Sequence, residues 1–244
     1  HQTPPPTPGY PNTANGLSAF TASLSFGTRE LILSEVLAAN TTTLRQADLT
    51  YPDWIEICNQ SGEAVNLAGY ALSKNAKNPA KWVFPDITIG PGEYIVVLAS
   101  GKNVTDTQKK NLETNFSISA EGDAIFLFAP DGTLIDKLLL GRAHADVSYG
   151  RSNGQLMYYA SPTPGAANSG GMIGYAEKPE FSTPAGVYTS AESVSIKVPE
   201  GCTVRYTTDC TTPTESSPIY SSPITVSTNT VIRARAFRQG YEPS

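Results

Sequence analysis

The sequence predicts an all-β protein of two antiparallel β-sandwich domains in tandem, and three observations carry that expectation. Only 16% of the 244 residues are charged, while 20 are glycine and 19 proline, the composition that short strands joined by tight turns require. Apolar, β-branched and aromatic residues gather in short runs between turn signals, with no sustained period of 3.6 residues to mark a helix. The pattern stops near Ser161-Pro162-Thr163-Pro164-Gly165 and resumes after Ser169-Gly170-Gly171-Met172, so two units must each close a core.

Residues 1–28 carry no Lys, Arg, Asp or Glu and hold most of their prolines at the front. They read as a Pro-rich linker, with 17–26 apolar enough to lie against the first domain as an added strand. The first domain is expected over 29–168. Its strand-like runs are 31–38, 54–58, 65–72, 82–84, 94–99, 124–128 and 134–140, rich in β-branched, aromatic and aliphatic residues. Pro130-Asp131-Gly132 is a hairpin signal, because Gly accepts the positive φ of the turn; Gly90-Pro91-Gly92 and Ala68-Gly69-Tyr70 mark further reversals. Residues 169–178 read as a second linker. From 179 to 244 the alternation is cleaner: Val194, Ile196 and Val198 oppose Ser193, Ser195 and Lys197, Val204 and Tyr206 repeat the scheme, and Ile232, Ala234 and Ala236 oppose Arg233 and Arg235. Both units therefore read as Ig-like sandwiches, the second smaller.

The formal charge is −5, with acids and bases interspersed. Phosphate neutralisation by a basic face supplies most nucleic-acid affinity, so this balance argues against such a partner. No apolar run approaches the ~20 residues that span a bilayer. The chain opens on His1-Gln2-Thr3-Pro4-Pro5-Pro6 rather than Met, which fits a trimmed export precursor or a tag remnant. Of three cysteines, Cys58 sits in the apolar run Trp54-Ile55-Glu56-Ile57-Cys58 and reads as a small buried hydrophobe. Cys202 and Cys210 flank a strand that would hold them ~26 Å apart if extended, too far for a disulfide without a sharp bend.

Catalytic chemistry finds few candidates. The chain has two histidines, terminal His1 and the loop-like His144, a thin basis for a hydrolase triad and, with scattered cysteines, for zinc. Gly101-Lys102 is followed by Asn103 rather than Ser or Thr, which removes a phosphate loop. Glu121 and Asp123 lack the spacing of a calcium loop. No cofactor or metal is expected. Asp53 and Glu56, flanking Trp54 with Tyr51 nearby, are the best pair for a carbohydrate platform of acids beside an aromatic ring, although a Trp in such a strand also serves as core. In the second unit Arg205, Arg233 and Arg235 share one outer face if their strands pair in register. That face is either simply solvated or a contact for an anionic polymer such as teichoic acid or acidic glycan.

Several motifs lie in order from Glu35 to Asn168: Glu35-Val36 with Asn40, Tyr51-Pro52-Asp53-Trp54-Ile55-Glu56-Ile57 with Asn59, Leu67-Ala68-Gly69-Tyr70 with Leu72-Ser73, Lys81-Trp82-Val83-Phe84-Pro85, Thr114-Asn115-Phe116, Asp146-Val147-Ser148-Tyr149-Gly150-Arg151 and Pro162-Thr163-Pro164-Gly165-Ala166-Ala167-Asn168. Through them the first domain resembles the bacterial lamin tail domain. The second is similar to the Ig-like module at the C-terminus of chitobiases and β-hexosaminidases. It carries Pro179, Phe181, Gly186-Val187-Tyr188, Val204-Arg205-Tyr206-Thr207-Thr208-Asp209, Thr212-Pro213-Thr214, Tyr220, Pro223-Ile224, Thr230-Val231-Ile232-Arg233-Ala234 and Gly240-Tyr241-Glu242-Pro243-Ser244. Cys210 stands where that family usually has a turn Gly, and Cys202 where it has a small residue. The family continues past Tyr-Glu-Pro-Ser with a closing strand, so a fragment of a longer polypeptide lacking its last strand is expected.

Neither resemblance brings catalytic residues. Together they imply a non-catalytic segment for binding, adhesion or spacing within a larger exported, Gram-positive bacterial surface or secreted protein. Its partner would be an unspecified surface polymer, glycan or protein. The alternatives are a carbohydrate-binding module and a nucleic-acid-binding accessory domain of an exported enzyme.

Overall fold

The computed structural model describes residues 30–109, 111–152 and 154–244, among which there are strands and turns but no helix. The linker and added strand expected over 1–28 lie outside the described residues. The chain divides at Gly171 and Met172 into two compact units.

The strands of the first unit are β1 (Leu31–Leu37), β2 (Trp54–Asn59), β3 (Val65–Asn66), β4 (Ala71–Ser73), β5 (Trp82–Val83), β6 (Thr88–Ile89), β7 (Tyr94–Leu98), β8 (Leu112–Glu113), β9 (Asp123–Phe128), β10 (Leu134–Leu140), β11 (Ser148–Ser152) and β12 (Gln155–Tyr159). One sheet runs β12-β11-β1-β2-β7-β8, the other β10-β9-β4-β5, and β3 with β6 forms a short ladder. Leu33, Ile55, Ile57 and Val97 of the first sheet join Leu72, Trp82, Ile125, Leu127 and Leu138 of the second in one buried cluster. Each side chain so buried stabilises the sandwich by ~1.5–3 kcal/mol. The buried ion pair between Arg151 and Asp136 (2.9 Å) reaches from β11 to β10, and Asp136 also accepts from the Leu33 N–H at 2.9 Å.

Several sequence expectations are corrected here. The run 65–72 is two strands, because Tyr70 N–H turns back to Leu67 O (2.9 Å) around Gly69, at φ +83°. The hairpin of β11 and β12 was not expected, since Ser148-Tyr149-Gly150-Arg151-Ser152 is too polar to read as a buried strand. β11 nevertheless pairs with β1, Glu35 opposite Gly150. A side chain at Gly150 would sit 2.3 Å from Ser34 O and 2.9 Å from Glu35 Cα, so only Gly admits this approach. β1 and β2 also lack the wet face of a half-buried strand, and every residue in both is buried. Their outer faces are roofed by loops.

The second unit holds β13 (Gly174–Tyr175), β14 (Glu180–Phe181), β15 (Glu192–Val194), β16 (Ile196–Lys197), β17 (Thr203–Thr207), β18 (Ile224–Val226), β19 (Arg233–Phe237) and β20 (Tyr241–Glu242). β17 pairs with β19, β15 with β18 and β14 with β16, all antiparallel, while β13 and β20 run parallel. Its small core is Ala176, Ile196, Val204 and Ala236, with Tyr206, Tyr220 and Ile224 packed against it. Residues 174–176 lie in the stretch read as linker, yet β13 pairs with β20 and Ala176 enters this core. Val198 does not follow Val194 and Ile196 inward; it is 43% exposed, because the strand ends at Lys197. Both units are β-domains consistent with the Ig-like class.

Candidate functional site

The acids and aromatics read as a carbohydrate platform do not form one. Trp54 is fully buried with Leu37 and Leu98 on the outer face of the six-stranded sheet, under a loop whose Leu44 packs on the same cluster. Its indole N–H donates to Thr43 Oγ1 at 3.0 Å. Tyr51 and Asp53 are half-buried at the strand entrance, where Asp53 Oδ1 accepts the Asn40 N–H at 3.1 Å. Burial raises the Asp53 carboxyl above its ordinary range, against the opposing Asn40 bond. Glu56 points the same way as Trp54, two residues along the strand, and is also fully buried.

What Glu56 meets instead is Glu35, its direct partner across β1 and β2, equally buried. Ser34 Oγ donates to Glu56 Oε1 at 2.7 Å and the Gly165 N–H to Oε2 at 2.5 Å. Glu35 accepts from the Ser148 hydroxyl and, at 3.2 Å, from the N–H and hydroxyl of Thr163. Asn168 Nδ2 donates to Ser34 O and Arg151 O at 2.9 and 3.0 Å. Residues 162–168 are thereby strapped over the sheet, which explains why the outer face is dry. Burial pushes the Glu56 carboxyl up to about 7, with the Ser34 and Gly165 bonds opposing and the Glu35 charge adding to the rise. Glu35 is raised as well, chiefly by burial. Paired carboxylates are the usual starting point for acid and base chemistry, but a reactant cannot reach groups sealed in this way.

Two asparagines that carry the lamin-tail resemblance, Asn40 and Asn59, are fasteners of the same kind. Asn40 Nδ2 donates to Thr43 O and Pro52 O. Asn59 Nδ2 donates to Glu63 O, Ile89 O and Gly90 O. Such bonds satisfy loop carbonyls that would otherwise be buried without partners.

In the second unit the three arginines do share a face: Arg205 lies opposite Arg235, and Arg233 opposite Thr207. Their guanidinium groups are turned to neighbouring chain. Arg205 Nη1 donates to Ser217 O at 2.5 Å, Arg235 donates to Ser244 O and Pro243 O at 2.9 and 3.2 Å, and Arg233 donates to Thr212 Oγ1 at 3.2 Å. Two like charges directly opposite repel, and the carbonyl dipoles offset that repulsion.

The open feature lies elsewhere in the same unit. The segment after β14, the turn at 208–210 and the loop after β18 converge on a groove of about 930 Å³. Phe181, Tyr188 and Val231 are 41%, 43% and 51% exposed along it, and Val187 is wholly exposed. Glu192 and Asp209 line it, and no Lys, Arg or His is among the described residues that do. Asp209 Oδ1 accepts the Thr211 hydroxyl and N–H at 2.5 and 3.1 Å, which hold this carboxyl below its usual range. Cys210, also in the groove, takes φ +67°, a left-handed conformation that residues other than Gly seldom adopt. All three cysteines are free thiols, Cys58 buried, Cys202 half-buried and Cys210 exposed. Phe181 and Tyr188 were visible in the sequence only as marks of a domain type, because a groove made by three separated segments leaves no spacing signal.

Fold and surfaces together define a tandem of accessory β-domains whose polar motifs are structural. Residues 25–141 match the model of the Lamin Tail Domain and residues 183–244 that of the Chitobiase/beta-hexosaminidase C-terminal domain: a lamin tail domain followed by a chitobiase-type C-terminal domain, as the motifs imply. Both are non-catalytic accessory families typical of larger multi-domain proteins, and no catalytic domain is detected in the chain. No curated protein matches it. The lamin-tail match stops at residue 141, whereas β11, β12 and the strap at 162–168 go on to complete that unit's sheet and cover. No helix among the described residues is long and apolar enough to cross a membrane.

Proposed function

We propose that this chain is a non-catalytic binding and spacing segment of a larger exported bacterial protein, holding its parent at a cell-surface polymer. The observation that carries this reading is the contrast between the units. The first consumes its motif carboxylates and amides in internal fasteners, while the second leaves open to solvent a groove in which Phe181, Val187, Tyr188 and Val231 stand exposed beside polar residues. Exposed apolar patches of this kind mark interaction sites. The test is cosedimentation of the full chain with insoluble cell-wall and polysaccharide fractions, alongside turnover assays on glycoside, phosphoester and peptide substrates. Retention above an inert protein of equal charge, without turnover, is expected; turnover, or no retention on any polymer, would reject the reading. A nucleic-acid partner is disfavoured by the charge of −5 and by Arg205 and Arg235 being bonded to backbone carbonyls, so a low-salt gel shift should show no retained DNA or RNA.

A further inference from the structure

We propose that the groove of the second unit binds an uncharged saccharide chain, its rings packed on Phe181 and Tyr188 and its hydroxyls bonded by the Asp209 and Glu192 carboxylates. The inference rests on the binding reading above and names the ligand class. Pyranose rings present apolar C–H faces edged by hydroxyl groups, so a site for them needs flat apolar surface beside hydrogen-bond acceptors. Phe181 and Tyr188 supply the surface at 41% and 43% exposure. Tyr188 is also held in place: its hydroxyl donates to Pro184 O at 2.7 Å, and its ring lies 3.6 Å from where a side chain at Gly186 would begin. A fixed ring loses little freedom on binding. Asp209 adds a carboxylate whose two described bonds both fall on Oδ1, and hydroxyls such as Thr208 extend the polar rim.

Charge decides against the other polymers. Two carboxylates, with no cation among the described lining residues, repel teichoic acid, acidic glycans and nucleic acid alike. The volume of about 930 Å³ is at the upper end of ligand-sized clefts, room for a few sugar units rather than one.

The test uses the full chain with cellohexaose, chitohexaose and maltohexaose as uncharged probes, a hyaluronan hexamer and a polyglycerol phosphate as anionic ones, and a lysine-rich peptide. Binding is read by isothermal titration and by alkylation of Cys210, which the ligand would shield; Cys58 is buried and serves as the internal reference. At least one uncharged hexamer should bind and slow Cys210 alkylation severalfold. Phe181→Ala and Tyr188→Ala should each weaken it about tenfold, with unfolding midpoints unchanged because both side chains are substantially exposed. The inference is overturned if no uncharged hexamer binds, if the two variants bind as well as the parent, or if only the peptide or an anionic polymer is taken up. Self-association through the groove, seen as concentration-dependent sedimentation abolished by Tyr188→Ala, would also overturn it. Retention on cell-wall material that survives in both variants would leave the adhesive role standing and remove only the saccharide groove. Loss of retention by the parent chain would remove both.

Discussion

Replacing Glu56 by Gln should flatten a pH dependence that the parent chain owes to a sealed carboxylate pair. In the folded chain Glu56 titrates at about 7, against an ordinary 4.5. Between these values the folded state binds more protons than the unfolded one, so stability falls as pH rises. The loss is absent below 4.5 and complete above 7, where it amounts to about 3 kcal/mol. Glu35, raised in the same direction, adds to the slope. Gln keeps the shape: its carbonyl can accept from Gly165 N–H and its amide can donate to the Ser34 hydroxyl, at a cost of about 1 kcal/mol for weaker neutral bonds. The variant should therefore match or slightly trail the parent at pH 5 and exceed it by about 2 kcal/mol at pH 7.5. Urea unfolding followed by tryptophan fluorescence reads this directly, because both tryptophans, Trp54 and Trp82, are buried in the first unit. Measurements should stop at pH 7.5, since Lys137, lowered by burial to about 8, acts in the opposite sense above that. A parent whose stability is flat or rises from pH 5 to 7.5, or a variant with the parent's slope, would refute the reasoning.

Three further substitutions probe other parts. Gly150→Ala places a methyl group against Ser34 O and Glu35 Cα and should cost roughly 2–4 kcal/mol by prising β11 from β1, measured by the same fluorescence. Asp136→Asn leaves Arg151 without its buried counter-charge and should destabilise the first unit by roughly 3–5 kcal/mol. Cys210→Gly relieves a left-handed residue and should raise the second unit's calorimetric midpoint by the equivalent of about 0.5–1 kcal/mol; a lower midpoint would show that the thiol packs usefully.

Much of the architecture was legible because strand-forming side chains announce their own burial. Ile55, Ile57, Val97, Ile125 and Leu127 alternate or cluster as a sandwich core requires. What stayed hidden depends on partners distant in sequence. β11 is a strand because β1 offers it an edge at Glu35 and Val36, a fact absent from its own residues. Glu56 looked like a surface acid beside an aromatic ring, since nothing local shows that residues 162–168 return to cover it. Simple alternation places the three arginines on one face, but the oxygens that receive them, of Thr212, Ser217, Pro243 and Ser244, come from outside the paired strands. The groove is the same problem in reverse: Phe181 and Val231 stay exposed because no loop among the described residues closes over them.

The central claim is a division of labour, with the first unit's acids structural and the second unit's groove the contact surface. The direct measurement is isothermal titration of one uncharged hexasaccharide into the parent chain, Tyr188→Ala and Glu56→Gln at pH 7. The account predicts unchanged affinity in Glu56→Gln and about a tenfold loss in Tyr188→Ala. An affinity that follows Glu56 and ignores Tyr188 would contradict it.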